Sequence, residues 1–194
     1  MIAGLGSGWS PDEFGAGTPV PLSERGRALD EFLDIAAETW GPNPVSFKTR
    51  RYQVAAADIG PKPARRIPVL LAGSTEKALR RVARRADGWL PTAVPPAGVG
   101  AMLGRIRELA EEAGRDPQEI GCTVQIGTGD LTESSEQPRT PYTGSVAQLV
   151  EDVAALAEVG VDHVYVTLPA AVRDVRELID RAAELHAGVR AAGL

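Results

Sequence analysis

The sequence predicts an α/β fold built on a parallel sheet, and three observations carry that prediction. The first is the stretch Ile67–Trp89, which reads as strand, sharp turn, helix, turn and strand. Its apolar run Ile67-Pro68-Val69-Leu70-Leu71-Ala72 has the length of a buried strand. Gly73 and Ser74 end the run, and Ala78, Leu79, Val82, Ala83 and Ala86 then recur with helical period. The second is that strand-like runs and helical stripes alternate five times along the chain. Such alternation implies parallel strands joined by right-handed helical crossovers. The third is punctuation: glycine, proline and capping residues stand at the element boundaries. A doubly wound sheet and a barrel both satisfy this pattern.

Taken in order, Ile2–Leu5 reads as a buried strand. Gly4, Gly6 and Gly8 do not form the GxGxxG spacing of a dinucleotide loop. Ser10-Pro11-Asp12-Glu13 predicts a capping box with proline at the first helical position, and Trp9 with Phe14 predicts a hydrophobic staple. Leu29, Phe32, Leu33, Ala36 and Trp40 stripe the next helix, which Gly41-Pro42 breaks. Val45–Arg66 reads as an excursion with extended pieces. After the Ile67–Trp89 unit and Leu90-Pro91, a helix carries Met102, Leu103, Ile106, Leu109, Ala110 and Ala113 on one stripe. Cys122, Val124 and Ile126 alternate with Thr123 and Gln125, as in a strand.

Thr128–Gly144 is polar and aperiodic, and so long a loop reads either as a lid or as a mobile surface segment. Ser145 and Gln148 predict a second capping box. A helix through Val146, Leu149, Val150, Val153 and Leu156 follows, then a strand at Val164, Val166 and Leu168 ended by Pro169. The last helix is striped by Val172, Val175, Leu178, Ile179, Ala182 and Leu185.

Composition narrows the classes of function. The 194 residues carry a formal net charge of −5, which disfavours general affinity for nucleic acid or anionic membranes. The single cysteine, Cys122, excludes an internal disulfide and fits a reducing compartment. Two histidines and one thiol make no zinc-type cluster. No apolar run reaches the roughly 18–20 residues of a membrane span. The N-terminus has no signal-peptide pattern. A cytoplasmic location is expected.

The turn at Gly73-Ser74 has two readings. It is either a tight turn with Ser74 capping the helix, or a site where helix N–H groups meet an anion such as a phosphate. Gly73 has no Cβ to keep a ligand from the backbone. Glu76 suits the helix dipole but would repel that anion.

Four segments, AGLGSGWSPDEFGAG, RGRALDEFLDIAAETW, PKPARRIPVLLAGS and ARRADGW, resemble the luciferase-like monooxygenase family in order and spacing. The similarity continues through TGSVAQLVEDVAALAEVGVDHVYVTLP and covers nearly the whole chain. The resemblance implies a (β/α)8 TIM-type barrel, here incomplete, with about five βα units from about the fourth strand onward. It implies one luciferase-like barrel domain over residues 1–194, truncated at its N-terminus. Members bind coenzyme F420 or FMN and many are dimers, so the resemblance implies F420 first, FMN second, and a homodimer. It also implies oxidoreductase or monooxygenase chemistry on a small organic substrate.

Residue by residue, Ser7 and Gly8 match the family loop that lies against the coenzyme ring system. Gly73 and Ser74, with Thr75 adjacent, match its phosphate-binding turn, and Thr92 matches a position near the coenzyme in F420 relatives. Ala72-Gly73 stands where many members have two glycines. The absent units supply residues near the reacting ring atom in the family, so no catalytic residue carries over. Asp87 and Trp89 read as turn and packing residues, and Tyr165, His163 and His186 as structural ones. Two hypotheses follow: a coenzyme-dependent oxidoreductase, or a non-catalytic remnant that binds coenzyme weakly or only associates.

Overall fold

The computed structural model describes residues 1–128, 131–168 and 174–194. The chain divides into two compact units, Met1–Val69 and Leu70–Leu194. In the first, strand β1 (Ala3–Leu5) leads into helix α1 (Pro11–Gly17). A 3₁₀ turn at Leu22–Glu24 then precedes helix α2 (Arg25–Trp40). Strands β2 (Val45–Lys48) and β3 (Gln53–Ala57) pair as an antiparallel hairpin, the extended excursion anticipated from the sequence. The hairpin is tied to α2 by charge: Arg51 is bonded to both Glu24 and Glu31. Leu29, Leu33 and Ala36 of α2 and Val45 of β2 are buried apolar residues here, as is Val69 at the unit's end.

Two expectations fail in this unit and a third is met in part. Ile2 is 62% exposed and Gly4 has no side chain to bury, so β1 is a strand without being a buried one. Trp9 is 85% exposed and makes no staple, because Phe14 packs against Gly8 instead. The capping box is formed on the Ser10 side, whose hydroxyl accepts from the Glu13 N–H at 3.4 Å.

The second unit contains strand β4 (its first residue, Val69, closes the first unit; Val69–Leu71), helix α3 (Glu76–Arg85) and strand β5 (Gly88–Trp89). Helix α4 (Pro96–Glu112), strand β6 (Gly121–Gly127), helix α5 (Val146–Glu158), strand β7 (His163–Thr167) and helix α6 (Val175–Ala191) complete it. β4 pairs with β5, β5 with β6 and β6 with β7, all parallel and in chain order. Leu71, Trp89, Cys122, Val124 and Ile126 are at most 1% exposed on one face of this sheet, where they meet Leu79, Val82, Leu103, Ile106, Leu149 and Leu156 of the helices. Thr123 and Gln125 point to the other face, as do His163, Tyr165 and Thr167, by strand alternation and the parallel register. Among the described residues of the second unit nothing covers that face. A doubly wound sheet would bury both faces, so the single covered face decides for the barrel type of winding.

The Ser145–Gln148 capping box is present in full. The last helix departs from expectation. Only Leu185 of its stripe is buried, while Val175 and Ile179 are 68% and 59% exposed. Nothing else in the second unit covers that end of α6 among the described residues. Pro169 and Val172, assigned above to a strand end and to this stripe, lie outside the described residues.

Candidate functional site

The turn after β4 is shaped by three local contacts. Gly73 has φ +117°, a conformation that residues with a Cβ rarely adopt. A Cβ built there would stand 2.7 Å from the Ala78 Cβ, so glycine is also required by the start of α3. The Trp89 indole N–H donates to the Gly73 carbonyl at 2.9 Å and ties the turn to β5. Trp89 thus does the packing role read from the sequence, and fixes the turn as well.

Ser74 does not cap the helix. Thr75 is the N-cap, its hydroxyl accepting from the Ala78 N–H at 3.3 Å. The reason is register: α3 starts at Glu76, one residue later than a Ser74 cap requires. Gly73, Ser74 and Thr75 are all exposed. Glu76 is bonded to Arg80 at 2.7 Å and to Arg105 at 3.0 Å, and the Arg105 guanidinium above all holds its carboxyl below the ordinary range. Its charge is therefore largely balanced, which reduces the repulsion toward an anion expected from sequence.

Thr92 lies at the C-terminal end of β5, bridged to Gln125 of β6. Its hydroxyl donates to the Gln125 Oε1 at 3.2 Å, and Gln125 Nε2 donates to the Thr167 hydroxyl oxygen at 3.3 Å. Sequence reading placed Gln125 on a strand but gave it no role, and Thr167 was not singled out. Only the pairing of β5, β6 and β7 brings the three together.

The loop between β6 and α5 is a strap in its second half. Arg139 makes two bonds of 2.8 Å to the Asp152 carboxylate, and its guanidinium also donates to the Thr143 and Gln148 carbonyls. The Tyr142 N–H donates to the same carboxylate, and the Tyr142 hydroxyl donates to the Val94 carbonyl. Burial pushes the Tyr142 phenol up to about 12, so it remains a neutral donor. Residues 139–144 are thus bonded to α5 and to the Val94 carbonyl; Gly129 and Asp130 lie outside the described residues.

Ser7 and Gly8 belong to the first unit, after β1. Gly8 has φ +82°, and a Cβ there would meet Phe14 Cδ2 at 2.7 Å. Among the described residues no cluster of His, Cys, Asp or Glu could hold a metal. No helix among them is long and apolar enough to cross a membrane.

Parallel strands in chain order, helices on one face and polar side chains at the C-terminal strand ends define the barrel class of α/β folds. Within that class the chain belongs to the luciferase-like monooxygenase family, whose profile matches residues 1–130. An uncharacterized protein of Mycobacterium tuberculosis is 35% identical over 152 residues, 72% of this chain and 52% of its own length. The F420-dependent glucose-6-phosphate dehydrogenase of Nakamurella multipartita is 29% identical over 129 residues, 65% of this chain and 38% of its own. The chain therefore spans about half or less of these relatives. An F420-dependent secondary alcohol dehydrogenase, solved with an F420-acetone adduct, superposes with a TM-score of 0.76 at 16% identity. It covers 97% of this chain and 69% of that one. The fold is the incomplete TIM-type barrel anticipated from the sequence.

Proposed function

We propose that this chain serves a two-electron oxidoreductase that uses coenzyme F420, with FMN as the second choice, on a small organic substrate. The observation that carries this is the exposed Gly73-Ser74-Thr75 turn at the N-terminus of α3. The first N–H groups of a helix have no partner within it and favour an anion. Trp89 fixes the turn, and Arg80 with Arg105 balances Glu76. On this reading Gly73, Ser74 and Thr75 hold the coenzyme phosphate, and Thr92 stands near the coenzyme. The bound coenzyme supplies the hydride chemistry, and the protein supplies position and electrostatics. The F420-dependent relative and structural neighbour support F420 over FMN.

The alternative is a protein that binds coenzyme weakly or only associates, and titrating F420 and FMN into it, followed by coenzyme fluorescence, separates the two. Saturable binding that inorganic phosphate competes away supports the oxidoreductase; binding of neither coenzyme sinks it. The exposed apolar residues of α6 support a homodimer, to be checked by sedimentation, where a monomer at micromolar concentration counts against it. The reduced, buried Cys122 supports a cytoplasmic location.

A further inference from the structure

We propose that Thr92, Gln125 and Thr167 form a hydrogen-bonding seat for an uncharged carbonyl- or hydroxyl-bearing substrate, beside the open position at Gly127. The inference rests on the oxidoreductase reading for the word substrate, but not for the binding itself.

Three observations converge on these side chains. The first is placement. Thr92 is bridged to Gln125, Gln125 is in register with Tyr165, and Gly127 with Thr167. Val124 and Ile126 are buried against the helices, so Gln125 and Gly127 belong to the open face.

The second is hydrogen-bond accounting. Thr92 donates to Gln125 Oε1, and Gln125 Nε2 donates to the Thr167 hydroxyl oxygen. The bonds orient the amide, with its oxygen toward Thr92 and its nitrogen toward Thr167. They do not exhaust it. One amide N–H, one lone pair of Oε1 and the Thr167 hydroxyl proton remain for a ligand. A carbonyl oxygen would accept from Gln125 Nε2 and Thr167; a hydroxyl would donate to Gln125 Oε1. At 3.2 and 3.3 Å the internal bonds are long, so a ligand can compete with them.

The third is room. Among the described residues a Cβ built on Gly127 meets nothing within 4 Å, so they leave space next to Thr167. The exposed Tyr165 ring, beside Gln125 in the register, offers an apolar surface for the rest of the molecule.

Charge sets the ligand class. Thr92, Gln125, Gly127 and Thr167 are all uncharged, so no cation among them would compensate a carboxylate. A pure hydrocarbon would leave the amide and hydroxyls unmatched, which a site built for hydrogen bonding rejects strongly.

The test uses the full chain and three probes of one ring size: cyclohexanone, methylcyclohexane and cyclohexanecarboxylate. The readout is the Gln125 side-chain NH₂ resonance in a ¹H–¹⁵N spectrum, assigned by its loss in Gln125→Leu. Cyclohexanone is expected to shift that resonance saturably, with at least about tenfold weaker effect from the other two probes. Gln125→Leu and the isosteric Thr167→Val, both checked for an unchanged melting temperature, should each weaken cyclohexanone binding about tenfold, followed by ligand-observed NMR. Equal response to all three probes, or unchanged binding in both folded variants, overturns the seat.

The titration is repeated with saturating F420. Retained cyclohexanone binding assigns the seat to substrate; displacement shows that the coenzyme's own carbonyl edge fills it and overturns that assignment. Cyclohexanone binding in a protein that takes up neither coenzyme supports the seat while removing the oxidoreductase reading. Coenzyme binding without any probe response does the reverse.

Discussion

The turn after β1 and the turn after β4 each hold a glycine at positive φ, and a methyl group on either would stand 2.7 Å from the following helix. Their supports differ. At Gly8 the neighbour is Cδ2 of Phe14, the far end of a side chain on a seven-residue helix with no buried residue. At Gly73 it is the Cβ of Ala78, fixed to the backbone of a helix that buries Leu79, Val82 and Ala83. The indole of Trp89 holds the second turn from the other side. Equal glycine geometry therefore stands on a soft support in one case and a rigid one in the other. A glycine of this kind reports the backbone and its packing before it reports a ligand.

The strongest way to break the contrast is to remove the rigid support. Trp89 is fully buried, and Trp89→Ala should destabilise the second unit by about 3–5 kcal/mol. Trp89→Phe keeps most of the packing and loses the bond to Gly73, for about 1 kcal/mol. Chemical denaturation measures both. A Trp89→Phe loss near zero would mean that the indole N–H contributes nothing separable, and equal losses for the two variants would mean that ring volume adds nothing to it.

Methyl groups on the glycines come next. Gly73→Ala combines backbone strain with a clash against Ala78 that cannot rotate away, and should cost about 3 kcal/mol. Gly8→Ala meets a ring that can move, and should cost about 1–2 kcal/mol. If the two losses are equal, the distinction between supports is wrong. The same argument disqualifies a bulky residue at Gly73 as a test of phosphate binding, because it perturbs the fold first.

Acid probes the first unit in another way. The Glu31 carboxyl is held down at about 2 by the Thr49 side chain and by Arg51, whose backbone N–H and guanidinium both donate to it. Its folded value lies below its unfolded one, so its stabilisation is complete above about pH 4.5 and is lost as pH falls through about 2. An NMR titration of the Glu31 carboxyl carbon should place its midpoint near the lower figure. A midpoint near 4.5 would show that the tie between the hairpin and α2 does not persist in solution.

Much of this molecule was legible in the sequence, and the misses share a cause. Five strands and the helices between them followed from apolar period, because burial of one stripe is a local pattern. The Ser145–Gln148 box followed from residue types at fixed spacing. Trp9 failed as a staple because Phe14 had a competing partner, Gly8, which no spacing rule reveals. Ser74 failed as a cap because helix starts are legible only to within a residue or two. Gln125 and Thr167 stood in recognised strands, but their bond exists only once β6 lies beside β7. Tyr142 and Asp152 were invisible for the same reason: an aperiodic loop gives no sign of the helix it is bound to.

The smallest expected effect is also the cleanest test of the phosphate turn. Thr75 caps α3 through the Ala78 N–H, so Thr75→Ala should cost about 1 kcal/mol. Ser10→Ala should cost less, because α1 is short and buries nothing, and fraying there exposes little. Ser74 lies outside the helix, exposed and one residue before the cap, so Ser74→Ala should leave the stability unchanged within about half a kcal/mol. A drop in F420 or FMN affinity in that variant can then be assigned to the ligand rather than to the fold. Loss of about 0.5–1.5 kcal/mol of binding is expected if the hydroxyl donates to a phosphate oxygen. Unchanged affinity for Ser74→Ala, together with full retention in Thr75→Ala after correction for stability, would leave only the backbone N–H groups to hold the phosphate. A Ser74→Ala protein that melts early would instead restore Ser74 as a structural residue and return the turn to the ordinary role its glycine already suggests.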